Sequence, residues 1–258
     1  MPKFSANLTM MFNEVEFLDR FERASKAGFK AVEYMFPFEW PKEQLAGELE
    51  SHGLEQVLFN LPAGDWAAGE RGIACIPGRE GEFKDGVESA LDYAAALNCP
   101  ALNCLVGLTP EGVADDNIRQ TLVNNLQFAA AALEKAGVHF VIEMLNHNAV
   151  PGFHLVHTRE ALRLLEGVNH PNLRLQYDIY HMQIMEGNLI DTISANISRI
   201  GHIQIADNPG RHEPGTGEIN FPNVFTAIDA AGYEGWIGCE YVPAGTTEEG
   251  LGWFEPYR

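Results

Sequence analysis

The segment KAGVHFVIEML, residues 135–145, forms the end of one copy of the unit from which the chain is built. The helical pattern before it has apolar residues three and four positions apart, at Ile118, Leu122, Leu126, Ala129, Ala130 and Leu133. Thr109 followed by Pro110 predicts the start of that helix, because a capping residue followed by proline favours a first helical turn. Gly137 predicts its end, and the apolar run that follows is typical of a buried parallel strand. The strand ends in Glu143, so the unit is a helix, a turn, a strand and a polar side chain.

The same unit recurs along the whole chain. Seven further segments show it: FSANL (4–8), KAGFKAVEYM (26–35), SHGLEQVLFN (51–60), LNCPALNCLV (97–106), HPNLRLQYDIYH (170–181), SRIGHIQIAD (198–207) and AGYEGWIGCEY (231–241). Eight strands that alternate with helices predict parallel pairing, and 258 residues are the size of one (β/α)8 TIM barrel. No linker interrupts the pattern, so we predict a single domain over residues 1–258. The alternative is an open doubly wound sheet, but the GxGxxG turn typical of that fold is missing after the first strand.

The composition excludes several classes of protein. Hydrophobic residues make up 46% of the chain, which is ordinary for a globular domain and excludes a disordered one. There are 17 Lys and Arg against 36 Asp and Glu, a net charge of −19. That charge argues against binding to nucleic acid or to an anionic membrane surface. A small anionic substrate must therefore be held by a local positive site.

Cysteine usage and hydropathy bear on the compartment. The four cysteines, Cys75, Cys99, Cys104 and Cys239, form no CxxC pair and are too few for a disulfide scaffold of this size. We interpret them as reduced thiols that pack in the interior. No leader pattern and no apolar run of about 18 residues is present. These features predict a cytoplasmic protein.

Each predicted strand ends in a polar residue, and in a barrel of this kind the carboxyl ends of the strands carry the chemistry. These residues are Asn7, Glu33, Asn60, Asn103, Glu143, Asp178, Gln204 and Glu240. Three of the last four are acids, and buried carboxylates that converge without partners are strongly unfavourable unless a cation lies between them. Carboxylate and amide oxygens suit Mg²⁺ or Mn²⁺. The sequence therefore predicts a divalent metal site made by Glu143, Asp178, Gln204 and Glu240; the alternative is that each acid pairs separately with an Arg or Lys.

Two histidines lie close to these acids in the sequence. His181 follows Asp178 by three residues, so it can reach the barrel mouth as a substrate donor or a ligand; the alternative is a surface loop histidine. His202 precedes Gln204 by two residues and so points to the same side of its strand, one layer deeper. There we predict a hydrogen-bonded interior histidine.

The longest connection, LPAGDWAAGERGIACIPGRE (61–80), has little helical or strand periodicity. Connections of more than about 12–15 residues without regular structure are usually binding loops or lids. This one carries Trp66 and Arg71 between four glycines, which favours a lid that brings a cation to the substrate over a passive loop. A second long loop, DNPGRHEPGTGEIN (207–220), carries Arg211.

Several segments together resemble the hydroxypyruvate isomerase family, within the xylose isomerase-like barrels. They are FSANLTMMF, AVEYMFPF, NLPAGDWAAGERGIACIPGRE, QYDIYHMQ, HIQIADNPGRHEPGTGEIN and GWIGCEY, which together extend from residue 4 to residue 241. The resemblance implies an isomerase without a nucleotide cofactor that interconverts hydroxypyruvate and tartronate semialdehyde. It also implies that Glu143 and Glu240 are the catalytic pair, and that these two bind a divalent ion with Asp178 and Gln204. In the related epimerases a histidine stands in place of Gln204.

The chemistry of that reaction agrees with the residues. A shift between ketone and aldehyde needs a proton removed beside a carbonyl and one returned to the neighbouring carbon, which two carboxylates can do. A metal ion stabilises the enediolate between the two steps as a Lewis acid. The substrate carboxylate needs a cation, for which Arg71 and Arg211 are the candidates.

Three other functions are alternatives to this one. Isomerisation of 2-oxo-tetronate, an acid one carbon longer, belongs to the same family and shares the enediolate step. Cleavage of DNA at abasic sites, in related barrels, uses zinc-binding histidines near strands three and four, where this chain has Asn60 and Asn103. A sugar-acid binding protein without catalysis has no need of two proton-transfer acids. Association into a homo-oligomer is left open by the sequence.

Overall fold

The computed structural model describes residues 1–258, and one sheet of nine strands lies at its centre. The strands are β1 (Lys3–Asn7), β2 (Ala31–Glu33), β3 (Glu55–Gln56), β4 (Phe59–Asn60), β5 (Ala101–Cys104), β6 (His139–Glu143), β7 (Leu173–Asp178), β8 (Ile200–Ile205) and β9 (Trp236–Cys239). Their order in the sheet is β3-β2-β1-β9-β8-β7-β6-β5-β4, and all pairs are parallel. Parallel pairing is what strands alternating with helices require.

The third predicted strand forms two short strands instead of one. β3 pairs with β2 and β4 pairs with β5, so the two edges of the sheet are consecutive pieces of one segment. Between them, the backbone N–H of Val57 donates to the carbonyl oxygen of Val32 at 2.9 Å. The sheet therefore curls round on itself, and the predicted (β/α)8 barrel is confirmed. It has nine strands and not eight because the third predicted strand is interrupted where its pairing changes from β2 to β5.

Helices follow most strands and cover the outside of the sheet. They are α1 (Asp19–Lys26), α2 (Lys42–His52), α3 (Glu80–Leu97), α4 (Asp115–Lys135), α5 (Thr158–Val168), α6 (Ile179–Met185), α7 (Leu189–Asn196) and α8 (Phe221–Ala230). Two 3-10 segments, Ile197–Arg199 and Glu249–Tyr257, complete the regular structure.

The helix α4 has the apolar stripe that the sequence predicts. All six apolar positions of its predicted stripe are buried, and Gly137 follows the helix with a φ of +74°. Its predicted start is wrong, because the helix begins at Asp115. The Thr109 N–H donates to the carbonyl oxygen of Gly152 at 2.9 Å, and the Thr109 hydroxyl contacts Nδ1 of His154 at 3.0 Å. Thr109 therefore joins two loops and caps no helix.

The interior agrees with the composition. All four cysteines are buried free thiols, as expected. Burial raises the pKa of Cys75 and Cys99 to about 12, so these thiols are inert packing groups. No helix has the length and the apolar character that crossing a membrane requires.

Candidate active site

The strand-end acids meet at one end of the barrel. Glu143 and Asp178 are the last residues of β6 and β7, and Glu240 follows β9 directly. The register aligns Asp178 with Gln204 and Gln204 with Gly238, which places the carboxyl ends of these strands side by side. One oxygen of each acid and a ring nitrogen of His181 all lie within 4.8 Å of one another, and all four side chains are buried.

One arginine faces two of the three acids. Nη2 of Arg211 lies 2.6 Å from Oε2 of Glu240 and 3.7 Å from Oδ2 of Asp178. Glu143 has no basic partner within ion-pair distance. The alternative that each acid has its own Arg or Lys is therefore wrong. The contact between Arg211 and Glu240 was missed because the arginine comes from the loop after β8, 29 residues away from the acid.

The acids raise one another's pKa values. Burial, followed by repulsion from Glu240 and Asp178, raises the pKa of Glu143 well above its ordinary value. Burial also raises the pKa of Glu240 to about 8, against the opposing effect of Arg211. The pKa of Asp178 is raised by burial in the same way, again opposed by Arg211. These buried carboxyl groups therefore favour either bound protons or a nearby cation.

The donor atoms fit a divalent cation. Oε1 of Glu143 and Oδ2 of Asp178 are buried and accept no hydrogen bond. Oxygens left in this state are uncommon in folded proteins and are the ligand type that Mg²⁺ and Mn²⁺ prefer. Oε1 of Gln204 accepts a hydrogen bond from Nε2 of Gln176 at 2.6 Å and keeps a second lone pair. The predicted four-oxygen set thus lies on adjacent strands, and its role in binding metal stays a prediction.

His181 lies on α6 and is buried, so the alternative of a surface loop histidine is wrong. The backbone N–H of Asn146 donates to Nδ1 of His181 at 3.0 Å, which places the ring proton on Nε2. Nε2 lies 3.6 Å from Oδ2 of Asp178. Burial and then Arg211 lower the pKa of His181 well below its ordinary value. The ring is therefore a neutral donor at the mouth, which fits a substrate contact better than a metal ligand.

Asparagines on neighbouring strands hold both glutamates. Nδ2 of Asn103 donates to Oε2 of Glu143 and to Oδ1 of Asn60, both at 3.1 Å. Nδ2 of Asn7 donates to Oε1 of Glu240 at 3.3 Å. The sequence predicted these asparagines only as residues at strand ends, because the pairing of neighbouring strands decides which acid each one meets.

A fourth buried acid, Glu33, lies inside the barrel next to this cluster. His202 contacts it, with Nε2 lying 2.9 Å from Oε2, which confirms the predicted hydrogen-bonded interior histidine. Burial would raise the pKa of Glu33, but His202 and the amide donors of Gln204 and Asn7 lower it below its ordinary value. Glu33 was expected only as a polar residue at the end of a strand. The sequence signal for a role of Glu33 is a charged residue at the end of an apolar strand.

Two of the acids, Glu143 and Glu240, open onto a cavity of about 200 Å³. Its lining residues are Met10, Met35, Asn60, Trp66, Arg71, Leu105, Glu143, Leu145, Ala149, Val150, His181, Arg211 and Glu240. Both predicted arginines reach it, from different loops. The guanidinium of Arg71 lies 3.9 Å from the centre of the Trp66 ring and donates to the Trp66 carbonyl oxygen at 3.1 Å. The cavity therefore offers two cations and two acids to a small ligand.

The long connection has no helix or strand between residues 61 and 79, as predicted. Its inner side lies directly against the loop after β5. Gly72 has a φ of +110°, and a Cβ there would collide with the carbonyl oxygen of Leu105. The N–H of Cys75 donates to the carbonyl oxygen of Val106 at 2.9 Å. These contacts fix the base of the connection and carry Trp66 and Arg71 over the cavity.

Comparison with known proteins agrees with this geometry. Residues 21–257 match a family model described as xylose isomerase-like TIM barrel. The hydroxypyruvate isomerase of Escherichia coli strain K12 is 56% identical over 258 residues, with all of both chains covered. The chain belongs to the hydroxypyruvate isomerase family. It is an isomerase, as the sequence motifs implied.

Two other similar proteins bear on the reaction that this chain catalyses. The 2-oxo-tetronate isomerase of Pectobacterium atrosepticum strain SCRI 1043 is 47% identical over 257 residues, covering 100% of this chain and 98% of its own. A solved structure described as an AP endonuclease of family 2 from Brucella melitensis superposes with a TM-score of 0.98 at 49% identity, with both chains fully covered.

Proposed function

We propose that this isomerase interconverts hydroxypyruvate and tartronate semialdehyde, which is 2-hydroxy-3-oxopropanoate. One observation carries the proposal. Two buried glutamates, Glu143 and Glu240, face the same small cavity, which also receives two arginines. A three-carbon acid needs this combination, because its carboxylate requires a cation while its two reacting carbons require a proton acceptor and a proton donor.

The two glutamates transfer the protons. One carboxylate removes a proton from the hydroxymethyl carbon, and its electron pair forms the carbon–carbon double bond of an enediolate. The other carboxyl group delivers a proton to the former carbonyl carbon while a hydroxyl proton passes to the neighbouring oxygen, so the new aldehyde and hydroxyl groups balance. The raised pKa values of Glu143 and Glu240 support this role, because a carboxyl group with a pKa nearer to neutrality can both accept and donate.

The arginines and His181 hold the substrate oxygens. Nε of Arg211 is buried and has no hydrogen-bond partner, so it is free to donate to a substrate carboxylate. Arg71 approaches the same cavity from the other loop, where we propose that it closes over the substrate with Trp66. Nε2 of His181 carries a proton and donates to an oxygen of the enediolate.

We propose that Glu143, Asp178, Gln204 and Glu240 hold a divalent ion, Mg²⁺ or Mn²⁺. When bound, this ion supplies Lewis-acid stabilisation of negative charge on the substrate oxygens. The unpartnered oxygens of Glu143 and Asp178 support the assignment. No nucleotide cofactor takes part, because the proton shift needs no redox carrier.

The 2-oxo-tetronate reaction is the nearest alternative, supported by the 47% identical relative. Isomerisation of either substrate passes through an enediolate, so the acids of the active site can serve both reactions. Measuring kcat/KM for both acids on the same preparation, with Mg²⁺ and with Mn²⁺, decides between them. A higher kcat/KM for hydroxypyruvate supports the proposal, and a higher kcat/KM for 2-oxo-tetronate makes that acid the substrate instead.

Cleavage of abasic DNA takes its support from the description of the Brucella structure. Two features of this chain oppose it: the net charge of −19, and the mutual hydrogen bond of Asn60 and Asn103 at the ends of β4 and β5. Incubation with an abasic duplex and Zn²⁺ tests it directly. Strand cleavage in the absence of isomerase turnover would reject the isomerase proposal.

The remaining expectations concern the assembly and the compartment. The buried free thiols fit a reducing compartment, and we propose the cytoplasm. We propose no nucleic-acid partner, since the charge opposes one. Whether the chain forms a homo-oligomer is a question for light scattering of the purified protein.

A further inference from the structure

Glu33 is the acceptor of four side-chain contacts inside the barrel. Ser5 Oγ donates to it at 3.1 Å and Asn7 Nδ2 at 3.2 Å. His202 Nε2 contacts it at 2.9 Å, and Gln204 Nε2 donates to it at 2.7 Å. The side chain is fully buried. None of these contacts belongs to the proton transfers described above.

The carboxylate sets the direction of two amides. An ionised carboxylate only accepts hydrogen bonds, so Asn7 and Gln204 must both turn their NH₂ groups towards it. The carbonyl oxygen of Asn7 then accepts from the N–H of Thr9 at 3.0 Å. The carbonyl oxygen of Gln204 then accepts from Nε2 of Gln176 at 2.6 Å and keeps a second lone pair for the proposed metal ion. Without an acceptor at position 33 either amide can turn over, since its two ends have nearly the same shape.

Asn7 carries this arrangement to the active site. Its Nδ2 contacts Oε1 of Glu33 and Oε1 of Glu240. The other oxygen of Glu240 accepts from Arg211 at 2.6 Å. Glu240 is therefore held at both oxygens, on one side by Arg211 and on the other by an amide that Glu33 orients.

The barrel leaves space for Glu33 at one position in particular. A Cβ at Gly238, on strand β9 beyond β1, would collide with both carboxylate oxygens of Glu33. Gly238 has no positive φ that would otherwise call for glycine. The glycine therefore serves the close approach of this side chain.

We propose that Glu33 is a positioning residue of the isomerase: it orients the amides of Asn7 and Gln204 and, through Asn7, holds Glu240 in place for proton transfer. The inference rests on the proposed function of Glu240 and goes beyond it. Its essential property is a hydrogen-bond acceptor at Oε1 of residue 33.

Two substitutions separate orientation from charge. Glu33→Met keeps the length but removes the acceptor. Glu33→Gln keeps a carbonyl oxygen for Asn7 and Gln204, while its NH₂ faces Ser5 and His202, both of which can accept. We expect kcat of Glu33→Met to fall at least about tenfold with KM within about threefold of wild type, because displaced catalytic groups lose rate more than binding. We expect Glu33→Gln to keep kcat within about threefold.

A binding measurement and a control complete the experiment. Titration of each protein with Mn²⁺ by calorimetry should show weaker binding for Glu33→Met and unchanged binding for Glu33→Gln. Ser5→Ala removes a donor to the same carboxylate without freeing an amide, and it should keep the wild-type kcat. Should Glu33→Met fail to fold, Asn7→Ala removes the connection from Glu33 to Glu240 while Gln204 keeps its own contact with Glu33, and its kcat should fall.

The outcomes separate the two proposals. Wild-type kcat and Mn²⁺ affinity in Glu33→Met, or an unchanged kcat in Asn7→Ala, would overturn the positioning role. An equal loss of kcat in Glu33→Gln and Glu33→Met would also overturn it, because charge and not orientation would then be required. If the wild-type protein turns over neither acid, the proposed function fails, while the Mn²⁺ titrations still report on Glu33 and Gln204.

Discussion

Arg211 and Glu240 form an ion pair at 2.6 Å that joins a loop to the end of a strand. Arg211 has a φ of +58°, and its carbonyl oxygen accepts from the N–H of Val242 at 2.9 Å. Its loop is wound around the carboxylate of Asp207, which accepts hydrogen bonds from the N–H groups of Asn208, Gly215, Gly217 and Ile219. The arginine is therefore positioned by its backbone before any substrate arrives. It neutralises a proposed catalytic acid and offers a free Nε to a substrate.

Replacing either glutamate by glutamine should remove its proton transfer while keeping its size. We expect Glu143→Gln and Glu240→Gln each to lose at least about 10²-fold in kcat, the usual scale of general acid–base catalysis. Exchange of solvent deuterium into the substrate, followed by NMR, should stop in the variant that lacks the base. Circular dichroism checks the fold. Near-normal turnover in both variants would transfer the base role to another group, such as His181.

Asp178→Asn should affect the metal more than the chemistry, because Asp178 is assigned no proton. One of its oxygens already accepts from the N–H of Tyr180 at 2.7 Å, and the other is unpartnered. We expect weaker Mn²⁺ binding by calorimetry and a kcat that recovers at saturating Mn²⁺. A kcat that stays as low as that of Glu240→Gln under saturation would contradict the assignment.

The arginines should be separable by KM. A charge-assisted hydrogen bond contributes about 1.5–3 kcal/mol, so removing one should raise KM by about tenfold or more. We expect this for Arg211→Ala or Arg71→Ala, and only Arg211→Ala should also alter the thermal midpoint, because it leaves Glu240 unpaired. Arg119→Ala, on the outer helix α4, is the matched control. Unchanged KM in both active-site variants would assign the substrate carboxylate to His181 or to backbone amides.

The stability of the metal-free protein should fall as the pH rises. Glu240 has a pKa of about 8 in the folded protein against an ordinary value of 4.5, so the folded state binds more protons than the unfolded state between these values. The stability that this proton contributes is present below the lower value and is lost as the pH rises through the upper one. Thermal midpoints of chelator-treated protein from about pH 6 to about pH 9 test this. Glu240→Gln should show a smaller slope, and an equal slope in the two proteins would contradict the expectation.

Two glycines of the long connection provide a matched pair. Gly69 and Gly72 both have positive φ, but a Cβ at Gly69 meets open space, whereas one at Gly72 collides with the Leu105 carbonyl oxygen. We expect Gly69→Ala to lose about 1 kcal/mol of unfolding free energy from backbone strain, and Gly72→Ala at least about 2 kcal/mol. Urea unfolding measures both. Because Gly72 neighbours Arg71, its variant should also raise KM, and equal KM values would contradict a lid anchored at Gly72.

The local patterns of the sequence were sufficient for the barrel and for the acids at its mouth. Alternation of helices and strands is a property of neighbouring residues, and the carboxyl ends of parallel strands must lie at one end of the sheet. Glu143, Asp178 and Glu240 could therefore be placed together without knowing any contact. The interruption of the third strand at Val57 could not be predicted in this way, because only the closing of the sheet gives that segment two different neighbours.

Contacts between distant parts of the chain were decided by the tertiary structure alone. Asn7 and Glu240 are 233 residues apart, and Glu33 and Gln204 are 171 apart. Each pair meets because the barrel brings the relevant strands together, and the capacity of each group for hydrogen bonding then settles its orientation. The protonation of His181 depends in the same way on one backbone N–H from another loop. The sequence by itself determined which groups reach the mouth of the barrel. The fold decided which of these groups form ion pairs, which orient a neighbour and which stay without a partner, because a buried polar group takes its properties from its neighbours.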